Sequence, residues 1–430
     1  MPITQVLILG AGPAGLSTAL SISQIPSSPP IRVTILELRP ATVTTASLGG
    51  AVNLTPPALR YLDRLGVGAQ LRRTGIPVGA VENVSLRTGR LLGALWRGVD
   101  GVRVMRSGLV ACMRGVVAGR EGVEVRYGVR VVEIREEGTG TGEDEDGDGG
   151  RVRVVLEGGE EVSGDILLGC DGLHSVARRL YVEPERGETY SGKVVAYGFA
   201  SVEEPGSAGM VRVDGRPAVV DTTMFTGRYG AILLSFFEPK RETVFAAAVM
   251  SMKDESGVDG RDGWKTRGAD KAYVEGEVRR RYGSSSVAGL AELLERVDGW
   301  SLYPVYTLPP GGRWSRGRVL LLGDAAHAMA PMGESIGVAI EDGALIARVL
   351  TRHRERSVSK MFADYETLRR PTIDKIYKEL TWRWDNAMKE DLGWLWSIFW
   401  EWLAVLFLWV MPWTQDEYFA RDVATIELPA

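Results

Sequence analysis

Val6-Leu7-Ile8-Leu9-Gly10-Ala11-Gly12-Pro13-Ala14-Gly15 is the stretch that decides the fold of this chain. Four consecutive apolar residues read as a strand buried on both faces. The glycine turn that follows has a separate reason for each glycine. Gly10 permits the tight turn, Gly12 lets a diphosphate approach the backbone, and Gly15 lets the next helix pack close to the strand. That helix is expected from about Pro13 into the Ser21–Gln24 region. Its N-terminus offers free N–H groups and the positive end of the helix dipole, which suit a phosphate. The loop 26–30 ends it, and Arg32-Val33-Thr34-Ile35-Leu36 reads as the second strand. Glu37 closes that strand at the distance where an acid binds the ribose hydroxyls of an adenosine half. A free 2′-hydroxyl is then required, which favours FAD or NAD over NADP.

Two later segments extend the pattern. The first is Asp165-Ile166-Leu167-Leu168-Gly169-Cys170-Asp171-Gly172-Leu173-His174-Ser175-Val176-Ala177-Arg178. The second is Arg318-Val319-Leu320-Leu321-Leu322-Gly323-Asp324-Ala325-Ala326-His327-Ala328-Met329-Ala330-Pro331. Each is an apolar strand that runs into a glycine-aspartate turn. With Glu37-Leu38-Arg39-Pro40, Gly49-Gly50-Ala51-Val52-Asn53-Leu54-Thr55-Pro56 and Met105-Arg106-Ser107-Gly108-Leu109, the chain over roughly residues 1–375 resembles the class A flavoprotein monooxygenases of the para-hydroxybenzoate hydroxylase type. Its style is similar to members from fungal secondary metabolism.

The resemblance implies an α/β fold: a doubly wound, Rossmann-like FAD-binding domain, an inserted β-sheet substrate domain and a C-terminal apolar helical tail. It assigns cofactor contacts to Gly10, Gly12, Pro13, Ala14, Gly15, Glu37, Arg39 and Gly50. It adds Arg106 after its strand, Asp171 near the diphosphate and the path of the pyridine nucleotide, and Asp324 on the ribitol chain. Pro331, Gly333 and Gly337 would lie along the isoalloxazine ring. Family members commonly have two residues between that proline and the next glycine, then Gly-Gln-Gly-x-Asn. Here Met332 alone intervenes, and Ser335 and Gly337 replace the later Gly and Asn. The loop is one residue shorter, so the ring contacts there are expected to differ.

The implied domains are discontinuous. Residues 1–75, 100–185 and 300–375 make the FAD-binding domain, 76–99 and 186–299 the substrate domain, and 376–430 the tail. A chain of 430 residues exceeds a single core, in keeping with two domains. The net charge of −4 argues against a nucleic-acid partner. Three scattered histidines and two cysteines make no metal site or disulfide framework. His327 reads as a packing residue at a helix start rather than a base. The acidic run Glu143-Asp144-Glu145-Asp146-Gly147-Asp148 lacks EF-hand spacing and reads as a hairpin tip between strands. No secretory signal pattern begins the chain, because Val6 already belongs to the first strand. An intracellular protein on the cytosolic side is expected.

Within the inserted domain, 192–202, 218–226, 229–237 and 243–250 read as strands, and 271–282 and 287–297 as helices. Some family members carry Tyr-Arg on a strand at the substrate site. The corresponding Val195-Ala196-Tyr197-Gly198-Phe199 lacks the arginine. Tyr229 is the candidate catalytic residue, as a phenol that orients substrate; sheet packing is the competing role for Tyr197 and Tyr229.

The tail is the second informative stretch. Leu392–Trp413 carries one formal charge, Glu401, and eight of the twelve tryptophans follow residue 380. A stretch apolar all round the helix cannot stand alone in water. Three fates remain open: a membrane-surface or re-entrant anchor, for example at the endoplasmic reticulum, a membrane-spanning tail anchor, or a helix packed on the flavin domain or on a partner. About 20 residues span a bilayer, tryptophan prefers its interface, and a central glutamate is costly at the midplane.

By resemblance the chemistry is monooxygenation. NAD(P)H reduces FAD, O2 forms a flavin C4a-hydroperoxide, and one oxygen passes to a lipophilic small molecule such as an aromatic polyketide, an indole or a prenylated compound. The alternatives are an oxidase or oxidative cyclase, a reductase of the same fold, or a non-catalytic FAD-binding partner. No Trp-x-Trp-x-Ile-Pro segment of the halogenase kind is present.

Overall fold

The computed structural model describes residues 2–42, 49–137, 150–253, 260–387, 393–410 and 419–429. At its centre is a six-stranded sheet in the order Ser315–Arg316, Val319–Leu321, Ile166–Gly169, Gln5–Leu9, Arg32–Glu37, Val123–Tyr127. All pairs are parallel except that of the short edge strand Ser315–Arg316. The apolar runs that opened the sequence reading are its buried middle, with Val6, Leu7, Ile8, Ile166, Leu167 and Leu168 all at 0% exposure. Strand order reverses direction at Gln5–Leu9, so a crevice opens beyond the carboxyl ends of the central strands.

Helices Pro13–Ile22, Arg106–Ala118 and Ser335–Leu350 pack together on one face of this sheet. The other face carries a three-stranded antiparallel sheet, Val131–Glu137, Arg151–Leu156 and Glu161–Gly164. Val152, Val154 and Ile134 from it share one apolar core with Leu7. The strands expected to flank the acidic run are therefore present, while its tip lies outside the described residues.

A second, seven-stranded sheet runs Asp298–Thr307, Thr189–Ser201, Thr243–Ser251, Gly230–Ser235, Thr222–Gly227, Val81–Ser85, Leu91–Leu95. Side chains alternate across it. Val194, Ala196, Ile232, Leu234, Ala246 and Ala248 meet Val274 and Val278 of helix Lys271–Tyr282 and Leu290 of helix Leu290–Glu295. The opposite face carries Val195, Ala231, Val249 and Val305, which meet Ala330 and Met332 of the segment after the Gly-Asp turn. Alternation thus gives this sheet one helix-covered face and one face turned to the parallel-sheet half.

The chain ends in two helices and a return. Helix Val358–Ala387 delivers Trp384 into the cluster of Ala231, Val305 and Ala330. Helix Trp394–Val410 lies on strand Leu91–Leu95. It has 17 residues, and among the described residues no helix is long and apolar enough to cross a membrane. The spanning reading of the tail is set aside on that ground. Residues 419–429 then cross back over the first half. The Tyr61 hydroxyl donates to Asp422 Oδ1 at 3.0 Å and accepts from Val423 N at 2.8 Å. Arg64 and Arg421 add ion pairs to Asp422 and Glu341 at 2.6 and 3.0 Å.

Candidate cofactor and substrate cleft

The three glycines of the first turn show three distinct surroundings. At Gly10, with φ +96°, a Cβ would stand 2.6 Å from the Cys170 carbonyl oxygen. At Gly15 it would stand 1.9 Å from the Gly10 carbonyl oxygen. At Gly12 it would meet nothing within 4 Å. The first two glycines serve the fold, and the third borders open space at the start of helix Pro13–Ile22. Gly12 is the N-cap of that helix and no side chain caps it, so its first N–H groups face the crevice. Pro13 occupies the first turn, where its missing N–H costs nothing. Glu37 is held by Ala11 N–H on Oε2 at 2.7 Å and by Arg39 N–H on Oε1 at 2.9 Å. The Arg39 side chain is exposed.

The second and third turns close on the first. Asp171 Oδ2 accepts from Val176 N at 2.6 Å and Ala177 N at 3.1 Å. Its Oδ1 is buried and has no protein partner among the described residues, and burial raises the carboxyl above its ordinary range. Gly323, at φ +59°, leaves room for a Cβ only at 3.2 Å from Ala14 and 3.3 Å from Ala339, so the Gly-Asp turn sits tightly between two helices.

Asp324 is exposed to solvent, yet the surrounding protein desolvates it enough to raise its carboxyl, against the pull of His327 and Arg106. Tyr303 behaves alike: it is 51% exposed, and desolvation first and Asp324 second raise its phenol. Exposure combined with desolvation is what the wall of a deep cleft shows. Arg106 acts electrostatically on both groups, and its Cδ lies 3.2 Å from where a Gly49 Cβ would be. Tyr197 also acts on Tyr303, and its ring centroid lies 6.2 Å from that of Phe245. Gly50 accepts Arg106 N–H at 3.1 Å, and a Cβ on it would strike the Phe245 ring at 2.2 Å. The structure therefore gathers Arg106, Asp324, Gly50, Tyr197, Phe245 and Tyr303 around one cleft between the two sheets. A separate hollow of about 410 Å³, lined by Arg114, Val117, Val125 and Tyr127, lies on strand Val123–Tyr127 away from these groups.

Tyr229 is a correction. It stands in the turn between Thr222–Gly227 and Gly230–Ser235, with the Arg228 and Arg280 guanidiniums 5.2 and 5.8 Å from its ring centroid. Arg280 belongs to helix Lys271–Tyr282, which covers the other face of the sheet. A hairpin turn breaks the strict alternation of a strand, and this one places the phenol with the helices. Tyr197 and Tyr303 stand instead beside Asp324 and Arg106.

The loop after Pro331 meets a residue that sequence reasoning does not single out, Trp96. Gly333 has φ +101°, a left-handed conformation that favours glycine, and its missing Cβ would sit 3.6 Å from the Trp96 ring. Trp96 itself has φ +56°, uncommon for a bulky residue, and meets Phe419 edge-on at 6.0 Å. Gly337 lets helix Ser335–Leu350 approach Thr55 and Ala58, where a Cβ would stand at 3.3 and 3.4 Å. Glu334 is 5% exposed, with Oε2 unpartnered among the described residues and Arg383 4.0 Å from Oε1. Burial pushes it up to about 7, with Arg383 and Arg421 pulling the other way. The signal in the sequence was a carboxylate where the resembled loop has an amide.

A raised carboxyl disfavours the ionised native state. The unfolded chain ionises near 4.5 and the folded one near 7, so native stability falls as pH rises through that window and is level above it. Glu334→Gln is expected to gain about 3 kcal/mol at most at pH 8 and nothing at pH 4. Denaturant melts at both pH values check this, and an equal effect at both would refute it.

Below the cleft lies a buried charge cluster. Asp342 Oδ2 accepts Gly323 N–H at 2.8 Å and contacts His327 Nε2 at 2.8 Å. Arg369 donates to Asp342 Oδ1 at 2.6 Å, Glu341 Oε2 at 2.8 Å and the Val338 carbonyl at 2.8 Å. Arg369 and His327 hold Asp342 down to about 2 despite burial. His327 is thus engaged in positioning the Gly-Asp turn. Cys112 and Cys170 are free and buried.

A family model described as FAD binding domain matches residues 3–211 and 269–379. The FAD-dependent monooxygenase ntnJ of Nectria sp is 24% identical over 392 residues, covering 86% of this chain and 82% of that protein. A salicylate hydroxylase of Pseudomonas putida is 28% identical over 394 residues, covering 88% and 84%. Among solved structures, Klebsiella pneumoniae HpxO complexed with FAD and uric acid superposes with a TM-score of 0.74 at 20% identity, over 96% of both chains.

Proposed function

We propose, from the premise that this chain belongs to the FAD binding domain family, that it is an NAD(P)H- and O2-dependent monooxygenase acting on a neutral, lipophilic aromatic or prenylated small molecule. The open space at Gly12, the orphaned Asp171 oxygen and the desolvated Asp324 fit a long dinucleotide held at several points. FAD, when bound, supplies the electron transfer and oxygen activation.

The chain's own contribution is binding, orientation and shielding. The uncapped helix start at Gly12 offers N–H groups to the diphosphate. The start of helix Ser335–Leu350 has no side-chain cap either, and its N–H groups and dipole stabilise negative charge that develops beside the loop after Pro331. The seven-stranded sheet roofs the cleft and lines it with apolar side chains.

The observation that carries the substrate class is the roof itself. Val195, Tyr197, Ala231, Val249, Tyr303 and Val305 face the cleft side and none is charged. The cation on the same strand, Lys193, lies 3.6 Å from Asp385 and 5.5 Å from the Trp384 ring centroid. It is therefore engaged, not offered to a substrate carboxylate.

The test is stopped-flow reduction of the FAD-loaded protein by NADPH with paired compounds that differ by one carboxylate, followed by oxygen and product analysis. Faster bleaching with the neutral member and an oxygenated product support the reading. Preference for the carboxylate would overturn the substrate class. Hydrogen peroxide with no oxygenated product would indicate an oxidase. Tyr303→Phe removes one hydrogen-bonding group worth about 1 kcal/mol. It is expected to lower kcat/KM roughly fivefold with FAD content unchanged, whereas Tyr229→Phe leaves kcat/KM unaltered.

A further inference from the structure

We infer that helix Trp394–Val410 docks the protein, lying flat, on the interfacial zone of a lipid bilayer. The helix has two faces of different kinds. Glu401, its single charged residue, turns inward: its carboxylate accepts from Ser85 Oγ at 2.9 Å and pairs with Arg87. Ser397 and Leu408 are buried on the same side, at spacings of four and seven from Glu401. The opposite stripe is Leu395, Phe399, Trp402 and Leu406, spaced four, three and four, and it is 51–73% exposed. Trp396 and Trp409 flank it at 62% and 63%.

A stripe of this size facing water marks an interaction surface. Three features select a bilayer as the occupant. Tryptophan is the side chain most suited to the headgroup boundary, where an apolar ring and a polar N–H are both satisfied. The helix is about 25 Å long at 1.5 Å per residue, short of a roughly 30 Å hydrocarbon core, so it lies in the plane. The inward ion pair leaves the outer stripe uncharged, which suits insertion by burial of apolar area.

The position has a consequence for the cleft. Phe407 lies 5.9 Å from the Arg383 guanidinium, and Arg383 lies 4.0 Å from Glu334 in the loop after Pro331. Trp384 of the preceding helix packs on Ala231, Val305 and Ala330. A bilayer on the outer stripe is linked to the loop after Pro331 through this helix and the Phe407–Arg383–Glu334 contacts, which places the source of a lipophilic molecule on the cleft's side of the protein. That delivery role rests on the function proposed above; the docking does not.

The test is flotation of the full-length, FAD-loaded protein with zwitterionic phosphatidylcholine vesicles, at low and high salt, with tryptophan emission recorded. Expected are co-flotation at both salt concentrations and a blue-shifted emission. Trp396→Glu/Trp402→Glu should lower the bound fraction at least about tenfold, since each substitution replaces an apolar ring that would be buried in the interface by a carboxylate. Circular dichroism and FAD content of that variant should match the parent, which separates lost docking from lost folding. No flotation of the parent overturns the proposal. So does a parent that sediments as a dimer, does not float, and becomes monomeric in the variant, because the stripe then covers a second copy. If flotation succeeds while added vesicles leave the KM of a lipophilic substrate unchanged, docking stands and the delivery role falls.

Discussion

Gly12→Val is expected to abolish FAD binding while leaving the fold intact. Gly12 has φ −81° and ψ −177°, extended values that valine adopts freely, and its Cβ would meet nothing within 4 Å. The added methyls instead fill the space in which a diphosphate must reach the backbone. Loss of two charge-assisted hydrogen bonds costs about 3 kcal/mol, roughly a hundredfold in affinity. The purified variant should be colourless, with a melting temperature equal to that of the parent stripped of cofactor. Gly15→Ala is the contrast. Its Cβ would stand 1.9 Å from the Gly10 carbonyl oxygen, so the helix must move and the stripped protein itself should melt lower. If both variants lose cofactor and stability alike, the division of labour among the three glycines is wrong.

Arg369→Met carries the second large effect. Arg369 is 1% exposed and joins Asp342, Glu341 and the Val338 carbonyl. Removing the cation leaves two buried carboxylates with less than full compensation, at a cost of roughly 3–5 kcal/mol. The loss should also loosen the Gly-Asp turn, because Asp342 holds Gly323 N–H with its other oxygen. The pH dependence has a definite sign. Asp342 lies near 2 in the folded protein and near 3.8 when unfolded, so its contribution is complete above about 4 and disappears as pH falls through about 2. The stability gap between parent and variant should therefore be widest at neutral pH and narrow in acid. Urea titrations at pH 7 and pH 3 measure it, and a gap that widens at pH 3 would exclude this account.

The parallel-sheet half was legible because its signals are local. A run of four apolar residues, a glycine turn and a terminal acid each sit within a few residues of one another. Strand Arg32–Glu37 and helix Lys271–Tyr282 appear where the sequence puts them. The cofactor turns were legible for the same reason. Less visible was anything that depends on which way a side chain leaves a turn. Tyr229 and Tyr197 look alike in sequence, yet one sits in a hairpin turn under Arg280 and the other on a strand beside Phe245. Partners distant in sequence were also hidden. Glu401 meets Arg87, and Trp384 meets Ala231, with nothing local to announce either pairing. The tail could be seen to need a cover, but only the inward turn of Glu401 shows which face the protein itself supplies.

The return of residues 419–429 braces the first half of the fold with a stretch far downstream of it. Asp422, Val423 and Arg421 fasten onto Tyr61, Arg64 and Glu341, and Phe419 meets Trp96 edge-on. The Trp96 ring in turn stands 3.6 Å from where a Gly333 Cβ would be. The shape of the loop after Pro331 therefore answers to residues that touch no group of the cleft, and a change at Phe419 or Asp422 acts on the cleft from a distance.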